Sequence, residues 1–235
     1  MALGLPRGWL GDTSALYART FRRGAELALR NWPVGLVVIV YGALLRVAIL
    51  IAAPLGILGG LVLYLVTVAC ASSWLSLVEQ VIRAGRVRLS DLPAGFGAYF
   101  SDLLTVGFLF WGLRLIASLV LAPFPFLQIV FVLAIFVFLN AIPELVYLGR
   151  HAAAELLVES YRFIGENWIE WFPANLVLVG CVVAVLALPA GPFGLVSDAV
   201  VGLVLYFGMI VRGLLFIELS SSGRRAREFR RRATG

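Results

Sequence analysis

The segment Val34–Ala53, VGLVVIVYGALLRVAILIAA, runs into the turn Pro54-Leu55-Gly56 and then into Ile57–Val78, ILGGLVLYLVTVACASSWLSLV. Each apolar run is about the 20 residues that an α-helix needs to cross a bilayer at about 1.5 Å rise per residue. A Pro/Gly turn stops the first helix and reverses the chain. The unit is a transmembrane hairpin, and the rest of the sequence reads as two further copies of it. The other spans are Leu103–Ala122 with Phe126–Ile142, and Phe172–Leu188 with Val196–Ile217. Their turns, Ala122-Pro123-Phe124-Pro125 and Pro189-Ala190-Gly191-Pro192, are also short and uncharged.

Composition agrees. Of 235 residues, 62% are hydrophobic and 14% charged, against about 45–50% and 25% in a soluble domain. An ordinary soluble enzyme, a disordered chain and a disulfide-stapled secreted domain are excluded. The predicted fold is all-α: a polytopic bundle of six transmembrane helices, built as three pseudo-repeated hairpins with interfacial amphipathic helices. It forms a single membrane domain over 1–235. The repeat units are approximately 13–86, 87–150 and 151–224, followed by a basic tail, 225–235. Each unit closes on a Gly-Arg pair: Gly85-Arg86, Gly149-Arg150 and Gly223-Arg224.

The net charge is +6, and every basic residue is arginine. Sixteen of the nineteen arginines lie at the termini or in the connections opposite the three hairpin turns. The positive-inside rule then puts both termini in the cytoplasm. The tail, with Arg224, Arg225, Arg227 and Arg230–Arg232, is expected to attract anionic lipid. A nucleic-acid partner is not expected, because no soluble basic face is available to read bases. No cleavable leader is expected in the first twelve residues, which lack an apolar core.

Two surface helices carry matched patterns at an offset of 136 residues. In one, Tyr17, Phe21, Ala25 and Ala28 line an apolar face and Arg19, Arg23, Glu26 and Arg30 a charged one. In the other, Ala153, Leu157, Tyr161 and Ile164 oppose Glu155, Glu159, Arg162 and Glu166. The spacing is that of amphipathic interfacial helices. The four charges reverse sign between the copies, which suggests that the two helices pair side by side. The second unit has a weaker surface helix, with Phe96, Tyr99 and Phe100 as interfacial aromatics.

Charges inside a membrane are candidates for function. Arg46 and Arg114 lie roughly 12–14 Å along their helices from the hairpin turns, and Asp198 enters the last span from the same side. An Asp198 pair with either arginine would leave the other for an anion or a lipid headgroup. Glu79, Glu144, Glu218 and Arg212 are expected near the opposite membrane boundary as a polar ring. Asn140 and Pro143 mark the fourth span for a kink, since proline removes a backbone donor and clashes with the preceding turn. Gly56 and Gly60 form a GxxxG, and Gly202, Gly208 and Gly213 punctuate the last span, allowing close helix approach. Cys70 and Cys181 are expected as packed small hydrophobes. His151 is the sole histidine, so no Cys/His metal spacing exists. No catalytic set, P-loop or cofactor motif is present, and no cofactor is predicted.

The stretches Ala84–Phe100, AGRVRLSDLPAGFGAYF, and Glu155–Trp168, ELLVESYRFIGENW, resemble a group of prokaryotic six-helix membrane proteins without an assigned activity. That group is related to the membrane domain of glycerophosphodiester phosphodiesterases. The resemblance implies a multi-pass protein of the prokaryotic cytoplasmic (inner) membrane. The phosphodiesterase catalytic domain is absent, so the resemblance implies neither that activity nor any site residue. The three-hairpin layout is also similar to mitochondrial carriers, but their repeated motif of proline, acid and base is missing. The function expected is a non-enzymatic membrane module, a scaffold or an accessory subunit of a larger membrane complex, bound to the lipid bilayer and to membrane-protein partner subunits. The alternative is a transporter or permease for a small anion or lipid-like solute using the intramembrane arginines.

Overall fold

The computed structural model describes residues 9–149, 153–187 and 194–221. Among them every regular element is helical: α1 (Trp9–Arg30), α2 (Pro33–Ala52), α3 (Ile57–Ala84), α4 (Leu92–Ala98), α5 (Phe100–Val120), α6 (Pro125–Phe138), α7 (Ile142–Glu144), α8 (Ala153–Leu186) and α9 (Gly194–Ser221). Six segments are long and apolar enough to span a membrane. The chain is a multi-pass integral membrane protein with an all-α fold.

Local chemistry explains the boundaries. Pro33 sits in the first turn of α2, where its missing N–H costs nothing and its ring stops α1 from running on. Gly85 ends α3 with φ of +69°, a left-handed cap that a side chain would strain. Asn31 ties these ends together. Its Nδ2 donates to the carbonyls of Leu27 and Gly85, its Oδ1 accepts from the Val87 amide, and its carbonyl accepts from the Tyr206 hydroxyl.

The three hairpins are not equivalent. In the third unit Asn167-Trp168 does not break the chain, because proline follows five residues after Trp168 rather than at once. Surface helix and span fuse into α8, 34 residues with Pro173 inside. Packing is unequal too. In the span of α9 56% of residues are buried, against 11% in α5. Helix α9 is central and packs on α1, α2, α3 and α8. The α5–α6 hairpin is peripheral: only Val106 and Ala117 are buried in α5, and none in α6.

The tight core lies toward the arginine-rich face. Leu77, Val78, Ile164, Trp171, Tyr206, Ile210 and Leu215 are fully buried there. Near the hairpin turns Leu50, Ile57, Leu119 and Phe126 are exposed, at no hydrophobic cost because lipid tails are as apolar as these side chains. The weak second surface element is docked rather than floating. The Ser72 hydroxyl donates to the Gly95 carbonyl and accepts from the Tyr99 amide, while the Ser73 hydroxyl accepts from Tyr41 and donates to the Leu92 carbonyl. Two buried serines of α3 thus fasten α4.

The buried faces of the surface helices are turned from those expected. Leu16, Thr20 and Gly24 are buried in α1, with Tyr17 and Phe21 at the edge. In α8 the buried line is Leu156, Ser160, Phe163, Ile164 and Asn167, and Tyr161 is exposed. Small residues let α1 approach closely: a Cβ on Gly24 would stand 2.8 Å from Val211. The GxxxG expectation fails within the chain. Gly56 serves the turn with φ of +57°, and a Cβ on Gly60 would meet nothing within 4 Å. The close crossing is between α2 and α9, where a Cβ on Gly202 would lie 2.9 Å from the Gly35 carbonyl oxygen.

Candidate functional site

The fourth span breaks where Asn140 and Pro143 predict. Helix α6 ends at Phe138, α7 begins at Ile142, and a π-helical turn follows at Leu145–Gly149. Proline cannot donate to the carbonyl four residues back. A break inside a membrane protein frees backbone carbonyls, which need donors in the absence of water. The Phe138 carbonyl takes the Ser160 hydroxyl at 2.9 Å, and the Asn140 carbonyl takes Nη2 of Arg212 at 2.8 Å.

Arg212 is the centre of the site. Its Nε donates to Oε1 of Glu144 at 2.7 Å and its Nη2 to Oε2 at 2.7 Å. This is the bidentate fork that a planar guanidinium makes best. Nη1 donates to Oδ1 of Asn175. The guanidinium stands 5.0 Å from the centre of the Trp171 ring. Trp171 in turn donates its Nε1 to Oδ1 of Asn140 at 3.0 Å, and Asn175 donates Nδ2 to the Trp171 carbonyl at 2.7 Å. Glu144 is fully buried and the Arg212 side chain is 11% exposed. Three chain segments, the broken fourth span, α8 and α9, meet on one ion pair.

This arrangement is chemically closed. Charge is neutralised inside the cluster, and among the described residues no buried side-chain nitrogen or oxygen lacks a partner. The cluster clamps three helices. It offers no open cation to an incoming anion.

No family model, curated protein or solved structure matches this chain. The resemblance to the six-helix prokaryotic group therefore rests only on the residues quoted for it.

The polar ring does not form as one unit. Glu144 and Arg212 join as above, Glu79 takes Arg83 at 2.8 Å and the Tyr99 hydroxyl, and Glu218 takes Arg19 at 3.5 Å on the surface. Glu79 is on α3, Glu144 on α7, and Arg212 and Glu218 are more than one turn apart on α9, so the four groups are split among three contacts.

Arg46 lies on an exposed face of α2 and Arg114 on an exposed face of α5. Helix α2 packs on α3 and α9, whereas α5 packs on α3, α4, α6 and α8. Asp198 is on α9, and its side chain lies outside the described residues, as do Arg150, His151, Gly223, Arg224, the turn at 189–192 and the tail 225–235.

Four of the eight surface-helix charges have partners other than those of the expected pairing. Arg19 bonds to Glu218 of α9, Glu26 to Arg22 of its own helix, and Glu159 to Arg162 one turn away. Helix α1 lies mainly across α9, and the Tyr17 hydroxyl reaches α8, donating to the Glu170 carbonyl at 2.6 Å. Burial first, and then the Glu170 carboxylate, push the Tyr17 phenol up to about 12. Cys70 is buried as expected, but Cys181 is exposed, lining an open seam between α8 and α9.

Sequence reasoning missed Trp171 and Asn175. A signal existed: Asn167, Trp171 and Asn175 recur every four residues, one helix face carrying polar groups into a span.

Proposed function

We propose that the chain is a non-catalytic membrane module, an accessory subunit that holds a second membrane protein against its α5–α6 hairpin. The observation that carries this is Arg114. It lies mid-span in the least buried of the six spans, exposed, and makes no ion pair or hydrogen bond among the described residues. An arginine at the centre of a span costs about 2.5–3.5 kcal/mol on insertion scales, which an acidic partner on a neighbouring protein would offset. Around it Phe108 and Trp111 are exposed, with ring centroids 5.6 Å apart, and Leu115 completes the stripe. Tryptophan and arginine are the residue types that anchor interfaces.

The clamped Arg212 supports the same reading, since it spends its charge on rigidity. The permease alternative has less support, because Arg46 and Arg114 lie on exposed faces of two different helices, α2 and α5. The arginine distribution argues for cytoplasmic termini in the inner membrane, which a fluorescent-protein fusion at the C-terminus would check.

A photo-crosslinker in place of Leu115, in cells, tests the docking. The expected result is capture of one membrane protein that is lost in Arg114→Ala and restored by no neutral substitution, with the variant's Tm in detergent unchanged. Capture that ignores Arg114, or crosslinks only between two copies of the chain, would overturn the reading.

A further inference from the structure

The last turn of α1 touches the chain just beyond α3, and arginines from both segments gather at this junction. Leu27 Cδ2 would stand 3.8 Å from a Cβ on Gly85. Arg23 lies four residues before Leu27 and Arg30 three after it, so all three share one stripe of α1. The two arginines therefore flank the contact, about 10 Å apart along the helix by rise. Arg86 follows Gly85 directly, and Arg88 lies two residues further on. Between them Val87 is half-buried against the core, and its amide donates to Oδ1 of Asn31 at 3.1 Å. Asn31 Nδ2 donates to the Gly85 carbonyl, also at 3.1 Å. The backbone that carries Arg30, Arg86 and Arg88 is thus pinned at one buried asparagine, while the arginines themselves are exposed.

Their charges are not neutralised. Among the described residues Arg23, Arg30, Arg86 and Arg88 make no ion pair and no side-chain hydrogen bond. Of the nearby acids, Glu26 takes Arg22, Glu79 takes Arg83, and Asp91 accepts from the Ser90 hydroxyl. Like charges gathered along one seam repel, and an anion between them removes that repulsion.

Depth decides the anion. One span runs Pro33–Leu55 and the next Ile57–Ala84. Arg30 lies three residues before the first, and Arg86 and Arg88 lie two and four residues after the second. The cluster therefore stands just outside the hydrocarbon, in the headgroup layer that takes a bilayer from about 30 Å to about 40–45 Å. Beside it Leu29 and Trp32 are 75% and 55% exposed, and an exposed tryptophan here belongs at the headgroup level. The phosphate in this layer is that of phospholipid, and a planar guanidinium takes phosphate oxygens through paired N–H donors.

We propose that the α1–α3 junction binds the phosphate headgroup of one anionic phospholipid, held between Arg30 of α1 and Arg86 and Arg88 beyond α3, with Arg23 at its edge. The acyl chains stay in the bilayer, so the site needs no cavity between helices. No member of the cluster belongs to α5 or α6, so the site stands apart from the docking of a second membrane protein.

The full chain, stripped of lipid in detergent, would be mixed with equal amounts of phosphatidylglycerol and phosphatidylcholine and read by native mass spectrometry. Both lipids carry a phosphate, but the choline cation cancels its charge. One phosphatidylglycerol should be retained in preference. Arg30→Gln with Arg86→Gln and Arg88→Gln should lower that preference by roughly fivefold for each arginine. Arg30→Gln and Arg86→Gln alone should each show one such step. A control that removes the same charge from ion-paired surface arginines, Arg19→Gln with Arg22→Gln and Arg162→Gln, should leave the preference nearly unchanged. Both triple variants should keep the wild-type Tm, since all six arginines are exposed. An excess of inorganic pyrophosphate should not displace the lipid. Equal losses in the two triple variants would reduce the effect to net charge and overturn the site. Displacement by pyrophosphate would assign these arginines to a soluble phosphate and overturn the lipid.

Discussion

The Arg212 guanidinium lies fork-to-fork on the Glu144 carboxylate, with both bonds at 2.7 Å and the acid fully buried. Breaking one side of such a pair leaves the other charge unpaired, which costs about 3–5 kcal/mol. Replacing both sides by apolar groups of similar size is far less costly. Arg212→Met and Glu144→Leu should each destabilise strongly, and the double variant should recover most of the loss. Equilibrium unfolding in mixed dodecyl maltoside and SDS measures all three. Recovery will be incomplete, because the Asn140 carbonyl and Asn175 also lose their donor.

Ser72 holds α4 through two bonds, one given to Gly95 and one taken from Tyr99. Ser72→Ala leaves both backbone groups without their partner, at about 1–3 kcal/mol. The effect should be local. Hydrogen exchange over 92–99 should rise, while exchange in the α9 core stays as in the wild type.

Two glycines that look alike in sequence should respond oppositely. Gly202→Leu drives a side chain into the Gly35 carbonyl and Val38, and overpacking of this kind costs typically about 1–3 kcal/mol. Gly60→Ala meets open space and removes a helix-weakening glycine, so Tm should hold or rise slightly. A fall in Tm at Gly60 with none at Gly202 would contradict the crossing described.

Tyr17 gives a pH dependence. Its phenol titrates at about 12 in the folded chain and near 10 when unfolded. Between those values the unfolded state has lost a proton that the folded state keeps, so stability falls as pH rises through that window. Below pH 10 the contribution is complete. Tyr17→Phe should flatten this alkaline loss, seen as a smaller drop of the detergent Tm between pH 10 and 12 relative to the wild type.

Legibility differed by the range of the interaction involved. The six spans could be read because a bilayer demands unbroken apolar helices. The break at Asn140–Pro143 could be read because proline lacks a donor. The Asn31-Trp32 and Asn167-Trp168 copies could not be told apart by pattern alone. Pro33 directly after Trp32 separates α1 from α2, and the later Pro173 lets α8 run on. Arg212 was placed with Glu144, but Glu79 and Glu218 were grouped with them because position along a span is encoded and position around the bundle is not.

The sequence by itself determined that the chain is an all-α membrane protein of three hairpins with sixteen of its nineteen arginines at the termini and in the connections opposite the hairpin turns. Each of these follows from local hydrophobicity, turn residues and charge bookkeeping along the chain. Only the tertiary structure decided which charges are spent. Arg212 is consumed by Glu144, Asn140 and Asn175, whereas Arg114 is exposed on a span of which 11% is buried. Partner choice depends on helix rotation and order around the bundle. Those are fixed by packing between distant segments, such as Gly35 against Gly202 and Gly24 against Val211, which periodicity within one segment does not encode.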